Sequence, residues 1–176
     1  MQLWLEKIAS PVGDMLIAWD DQERLRVLDF SDYEPRMKEL LRLQYVDCEV
    51  GSGVAPRSIS EPIARYFAGE ITAIDAISVF TGGTEFQKSV WAALRGIPAG
   101  TTLSYGALAQ RLGCPKAVRA VGGANGANPI GIVVPCHRVI GANGTLTGYG
   151  GGLHRKKWLL AHEGVHLDAP DLFADA

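Results

Sequence analysis

The charges of this 176-residue chain are sorted by position, and the sorting divides it in two. Residues 1–83 carry 8 Lys and Arg against 14 Asp and Glu, a balance of −6, whereas residues 84–164 carry 9 against 2, a balance of +7. Three Asp after Val165 return the total to −2. Halves of opposite sign, each the size of a small domain, point to two modules, the second suited to a polyanion. Mutual attraction of the halves accounts for the same asymmetry, and charge alone does not separate the two readings.

Hydrophobic residues make up 47% and charged residues 20%, enough for a packed core and against disorder. The start, Met1 to Lys7, has an acidic residue and no long apolar stretch, unlike a signal peptide. No apolar run approaches a membrane span, so a soluble, cytoplasmic protein without membrane contact is expected. Cys48, Cys114 and Cys136 are odd in number and widely spaced, which fits a reducing compartment. With no C-x-x-C pair and four scattered His, neither a metal nor a cofactor is expected.

The first thirty residues alternate in hydrophobicity, with breaks at Ser10–Asp14 and Asp20–Gln22, and read as a three-stranded antiparallel meander. Met37, Leu40, Leu41 and Tyr45 mark an amphipathic helix, and a second is expected from about Ser60 to Phe67, ending at Gly69. Thr81-Gly82-Gly83-Thr84 reads as a boundary. Thr84 with Gln87 forms a capping box, and Phe86, Val90, Trp91, Leu94 and Ile97 behind it have helical spacing. Ser104 can cap a helix carrying Leu108 and Leu112 that stops at Gly113. Pro115 suits the first turn of another, with Ala117, Val118 and Val121. Two short helices about a glycine-containing turn have the outline of a helix-turn-helix. The expected class is α+β. A small mixed α/β domain with an antiparallel sheet (1–82) precedes a mostly helical domain with the helix-turn-helix (83–166). An acidic tail (167–176) is expected to be disordered.

Cys136 follows the apolar run Ile130–Val134, expected as a buried strand or extended segment, and precedes His137 and Arg138. A thiol reacts as its thiolate, so a working cysteine needs a base or a positive field nearby, and these neighbours offer both. Adjacent side chains of an extended segment point apart, so a bend or a bridging water is required. A buried, inert cysteine is the competing reading. Glu163 stands at the end of an expected helix closed by Gly164, where a carboxylate opposes the helix dipole. It is placed either to orient His137 or as a surface residue of a frayed end. Gly144–Gly152 is a glycine-rich loop without phosphate-loop spacing. It is either a pocket wall with Tyr149 as its large side chain or a plain connection. The second helix of the helix-turn-helix offers Ala117, Arg119, Ala120, Gly122, Gly123 and Ala124. So small a face suits close approach to a narrow groove with Arg119 as a wedge, or tight packing on a neighbouring helix.

Together these residues resemble the O6-alkylguanine-DNA alkyltransferases, the short bacterial form of the methylated-DNA–protein-cysteine methyltransferases. The resemblance rests on Ile132-Val133-Val134-Pro135-Cys136-His137-Arg138-Val139-Ile140, Arg119-Ala120-Val121-Gly122, Thr147-Gly148-Tyr149-Gly150-Gly151-Gly152 and His162-Glu163-Gly164. It is strong over Thr84–Gly164 and weaker before that, where Ser10-Pro11-Val12-Gly13 and Tyr66-Phe67-Ala68-Gly69 carry it. The resemblance implies single-turnover, irreversible repair of O6-alkylguanine in double-stranded DNA after nucleotide flipping, with O4-alkylthymine open as a second substrate. Cys136 would accept the alkyl group, His137 would take its proton through a water, and Glu163 would orient His137. Tyr105 would protonate the leaving base, and Asn128 would tie the recognition helix to the active-site segment. Arg119 would replace the extruded nucleotide, with Lys116, Ala117, Ala120, Gly122, Gly123 and Tyr105 also on DNA. Pro135, Val139, Tyr149, Gly150 and Gly151 would line the base pocket. Gly150, where some relatives have a polar residue, implies room for bulkier groups such as benzyl. The same resemblance implies a monomer in solution, with cooperative binding along DNA left open. Some relatives hold zinc in the N-terminal domain, but residues 1–80 have only Cys48 and no His.

Three alternatives stand beside this reading. A non-catalytic binder of alkylated DNA that recruits other repair factors would lack the acceptor cysteine. A transcription regulator would need a more polar recognition helix. A Cys-His hydrolase would need an oxyanion site, and none is evident. Arg155-Lys156-Lys157 is read either as a phosphate contact or as a solvated helix face. Cys48 and Cys114 are expected to carry no function.

Overall fold

The computed structural model describes residues 1–167, so the acidic tail expected from Leu167 onward lies, after that first residue, outside the described residues. The chain divides into two compact units, Met1–Gly83 with Pro129–Val133, and Thr84–Asn128 with Val134–Ala176.

The first unit is built on β1 (Gln2–Ile8), β2 (Met15–Trp19) and β3 (Leu25–Phe30), which form the expected antiparallel meander. The helix α1 (Glu34–Gln44) follows. The sheet has a fourth strand that the sequence reading lacks. β4 (Glu49–Ser52) runs parallel to β1, giving the order β3-β2-β1-β4. Its residues Glu49-Val50-Gly51-Ser52 are largely exposed and show no apolar alternation. Backbone pairing rather than side-chain burial recruits it, so the hydrophobic pattern is silent there. Leu3, Leu16, Ala18 and Val27 pack with Met37 and Leu41 of α1 into one core cluster. Asp20, buried at the β2–β3 turn, accepts the Gln22 and Arg24 amides at 3.0 Å and the Arg26 Nε at 2.7 Å. The break in the pattern is therefore an Asx turn locked by an ion pair. The second helix, α2 (Arg57–Phe67), begins about three residues earlier than expected, with Pro62 inside it.

The apolar run before Cys136 is not a strand. Only Ile130 bridges, to Leu28, while the Leu28 amide donates to Pro129 O (3.0 Å) and the Gly131 amide to Leu28 O (2.8 Å). The chain then turns at once. Val133 N–H donates to Gly131 O at 2.7 Å around Ile132, whose φ is +67°. A β-branched residue in a γ-turn of positive φ costs on the order of 1–3 kcal/mol. The run is buried as expected but carries stored strain instead of strand pairing.

The second unit opens with α3 (Glu85–Arg95), and both bonds of the Thr84–Gln87 capping box are present. Val90, Trp91, Leu94 and Ile97 are buried, whereas Phe86 is exposed despite its spacing. The two-residue β5 (Leu103–Ser104) leads into α4 (Tyr105–Arg111), capped by Ser104 Oγ on the Ala107 amide. α5 (Val118–Gly126) begins three residues later than Pro115 suggested. Pro115 and Lys116 form the turn between the helices, closed by the Ala117 amide on Cys114 O. Trp91 Nε1 donates to Ala124 O at 2.8 Å, fixing α5 on α3. β6 (Val139–Ile140) pairs in parallel with β5, and α6 (Leu153–His162) closes the unit.

Candidate functional site

Within the second unit the backbone bends sharply just before the candidate nucleophile. The Cys136 amide donates to Val134 O at 2.8 Å around Pro135 (φ −83°, ψ 66°), an inverse γ-turn, and Cys136–Arg138 form one 3-10 turn. This is the bend that an extended segment lacked. Asn128 Nδ2 donates to Val134 O at 2.8 Å and ties the chain after α5 to the chain before Cys136.

Cys136, His137 and Arg138 are all buried, and Glu163 at the end of α6 is the partner of His137 and Arg138. His137 Nε2 lies 2.9 Å from Glu163 Oε2, and Arg138 donates Nε–H to Oε1 at 2.8 Å and Nη2–H to Oε2 at 3.0 Å. A third Arg138 nitrogen, Nη1, donates to Ile97 O at 2.7 Å. Gly100 lets the backbone come this close. A Cβ there would lie 3.1 Å from Glu163 O, and its φ of +79° favours glycine. Glu163 is thus no frayed surface residue. Burial raises its pKa, but the hydrogen bonds and charges of His137 and Arg138 outweigh it and hold the carboxyl well below the usual range. For His137 burial is the largest influence and depresses the pKa, outweighing Glu163, with Arg138 and Lys156 adding to the depression. The ring is neutral near pH 7. Because the ionised Glu163 accepts at Nε2, the ring proton sits there and Nδ1 keeps its lone pair. Nδ1 is buried and has no hydrogen-bond partner among the described residues. The set is therefore a base pre-oriented by a carboxylate.

Two more groups feel a charge on Cys136. Lys156, fully buried, donates Nζ–H to Thr147 O at 2.9 Å, and its ammonium lies 6.0 Å from the Tyr105 ring centroid. Burial, opposed in part by the negative charge of a Cys136 thiolate, lowers its pKa to about 8. Tyr105, at the start of α4, donates its hydroxyl to Thr147 O at 3.1 Å. Burial raises its pKa, and a Cys136 charge raises it further. Near pH 7 the site therefore holds a neutral base, a buried cation and an undissociated phenol around one thiol.

The other expected residues fall elsewhere. Pro135, Val139 and Gly151 are buried. Tyr149 and Gly150 are half-buried on the loop whose Thr147 carbonyl receives Tyr105 and Lys156. Lys116, Arg119, Ala120 and Gly123 are exposed, and Ala117 and Gly122 half-buried, on α5 and the turn before it. Of the small residues of α5, Ala124 is buried and meets Trp91 of α3, but the glycines do not serve helix packing. A Cβ at Gly123 or Gly126 would meet nothing within 4 Å, and one at Gly122 would meet only Tyr105 Cδ1, at 3.9 Å.

Sequence reasoning missed the place of Lys156 in the site and the pairing of Arg138 with Glu163. Arg155 and Lys156 are neither phosphate contacts nor a solvated face: both are buried, and Arg155 Nη1 donates to Gly151 O at 3.0 Å. The signal was present, because Lys156, Leu159, Leu160 and Glu163 share one face at helical spacing. For Arg138 no signal reaches across the chain to Glu163.

The family model described as the DNA-binding domain of 6-O-methylguanine DNA methyltransferase matches residues 85–165. The methylated-DNA–protein-cysteine methyltransferase of Salmonella typhimurium is 54% identical over 169 residues, covering 95% of this chain and 99% of that protein. The protein of the same name from Methanosarcina acetivorans is 48% identical over 155 residues, covering 88% and 94%. Among solved structures, Mycobacterium tuberculosis O6-methylguanine methyltransferase superposes with a TM-score of 0.77 at 41% identity, covering 97% of this chain and 99% of that one. The Mycobacterium tuberculosis OGT in complex with DNA gives the same TM-score and identity, covering 93% and 92%.

Proposed function

The chain belongs to the methylated-DNA–protein-cysteine methyltransferases, and on that premise we propose that it repairs O6-alkylguanine in DNA by taking the alkyl group onto Cys136, once and irreversibly. The observation that carries this reading is the buried His137–Glu163 pair beside Cys136, with Nδ1 of His137 left as its base. A protein that only recognises the lesion would lack the acceptor cysteine that this pair adjoins.

A lesion stacked inside a duplex is out of reach of a buried thiol, so the nucleotide is flipped, at a cost of about a few kcal/mol that a poorly paired base reduces. The exposed side of α5 suits the groove. Gly122, Gly123 and Gly126 each cost a helix about 1 kcal/mol relative to alanine, and among the described residues no close contact demands them. Close approach of a duplex does, with Arg119 filling the place of the flipped base. Lys116 adds charge for phosphate. The Cys136 proton passes to His137 Nδ1 through a water, Glu163 stabilises the imidazolium that forms, and Lys156 favours the thiolate. Sulfur attacks the alkyl carbon in line as the bond from that carbon to guanine O6 breaks. Tyr105 gives its proton to the ring, so guanine leaves neutral, and the phenolate recovers a proton from His137 by way of solvent. The thioether has no internal route back. Pro135, Val139, Tyr149, Gly150 and Gly151 form the base pocket in this proposal, and Gly150 leaves room for benzyl-sized groups. Asn128 holds the acceptor segment on the helix-turn-helix. Among the described residues no helix is long and apolar enough to cross a membrane, and we take the working form to be a cytoplasmic monomer on chromosomal DNA.

The test is stoichiometry. With excess duplex carrying O6-methylguanine, transfer should stop at one methyl per protein, and Cys136→Ser should bind the lesion but transfer nothing. Continued turnover, or transfer by Cys136→Ser, would remove Cys136 from its role.

A further inference from the structure

Asn125 lies on the inner face of α5, 4% exposed, and stands outside every role given above. Its amide hydrogen-bonds the Tyr105 hydroxyl, while its own Oδ1 is buried with no hydrogen-bond partner among the described residues. An amide that satisfies one end and leaves the other unpaired is a poor structural choice, because an apolar side chain of the same shape would remove the unpaired oxygen. The Tyr105 hydroxyl is thereby held from two sides. It accepts from Asn125 and donates to Thr147 O at 3.1 Å, a carbonyl it shares with Lys156 Nζ at 2.9 Å. One helical turn before Asn125, Gly122 faces the same ring, its Cβ position 3.9 Å from Tyr105 Cδ1.

We infer that Asn125 is a positioning residue that fixes the Tyr105 hydroxyl for proton delivery to the leaving base, and so joins the helix proposed to enter the groove to the acid. A hydroxyl held only by Thr147 O would have its proton directed at the loop. The Asn125 donor occupies a lone pair of the oxygen and fixes the phenol so that its proton can turn from Thr147 O to a base that displaces that contact. The inference rests on the reading of Tyr105 as the proton donor, and its test separates the two.

Single-turnover transfer from an O6-methylguanine duplex is measured for Asn125→Leu, Tyr105→Phe and the double variant, with duplex affinity and melting temperature alongside. Asn125→Asp, which keeps the size and loses the donor, guards against a packing artefact. The expected result is a transfer rate lowered about five- to tenfold in both Asn125 variants, a fraction of the roughly hundredfold or more that an acid supplies. Duplex affinity should be unchanged, the melting temperature of Asn125→Leu equal or higher, and the Asn125→Leu effect below about twofold once Tyr105 is Phe. A merely structural Asn125 would lower stability and leave the rate alone. If Tyr105→Phe is slow while Asn125→Leu transfers at the parent rate, or if the two losses multiply, the positioning role is overturned and the acid stands. If Tyr105→Phe transfers at the parent rate, both fall.

Discussion

At the scale of the residue, the centre of the account is a carboxylate with three N–H donors. Glu163 balances Arg138 in charge and holds His137 in one tautomer, so the ring is a neutral base rather than half of a resting ion pair. Glu163→Gln keeps the shape but leaves the Arg138 guanidinium buried without its counter-charge. It should cost about 3–5 kcal/mol of stability and slow transfer, and His137→Gln should slow transfer on the order of a hundredfold with lesion affinity intact. Chemical denaturation and single-turnover rates check both. The sign of the pH dependence follows from the directions of the shifts. Glu163 is depressed from 4.5, so its contribution to stability is complete above that value and is lost as pH falls further. Lys156 is depressed from 10.5 to about 8. Between those values the unfolded chain binds the extra proton, so stability rises with pH across the window, and the cost of burying the ammonium is present in full below 8. The help Lys156 gives the thiolate runs the opposite way, present below about 8 and lost above. Lys156→Gln should therefore slow transfer at pH 7 and lose this dependence, as a pH–rate profile of parent and variant will show.

At the scale of the element, α5 trades its own stability for a small outer face. Gly123→Ala fills open space in a helix interior and should raise stability by roughly 0.5–1 kcal/mol. Gly123→Leu should weaken duplex binding, because a long side chain stands where the groove must approach. Thermal melts and duplex titrations of the two variants separate these effects. How much of each element was legible depends on what holds it. The capping box at Thr84 and the cap at Ser104 are local chemistry, and both helices start where those residues indicate. β1 to β3 bury their side chains and alternate accordingly, whereas β4 is held by backbone pairing to β1 and leaves no trace in hydrophobicity. The strand expected before Cys136 failed for a related reason. Ile130–Val134 are as buried as strand residues, but burial does not record the turn at Ile132, where φ is positive. In the site, Cys136, His137 and Glu163 were readable as residue types out of place. Arg138 pairs across a sequence separation of 25 and Lys156 looked like one of three surface cations, so their partners came only with the fold.

At the scale of the whole molecule, the charge division of the sequence coincides with the division of residues between the units, except for Pro129–Val133, which add to the edge of β3 in the first. The basic surface of the second unit should give duplex affinity that falls linearly with the logarithm of salt. Lys116→Ala should reduce that slope by about 1 and weaken lesion and undamaged duplexes alike, whereas Arg119→Ala should weaken the lesion duplex more. Affinities over a range of salt concentration, on matched duplexes, decide this. The central claim is chemical, and it is tested most directly by intact mass and peptide mapping after incubation with a duplex containing a single O6-methylguanine. The account predicts one added methyl group, on Cys136 and on neither Cys48 nor Cys114, with guanine restored in the strand. An unmodified protein that still binds the lesion, or a methyl group on another cysteine, would contradict it and return the chain to a role in recognition alone.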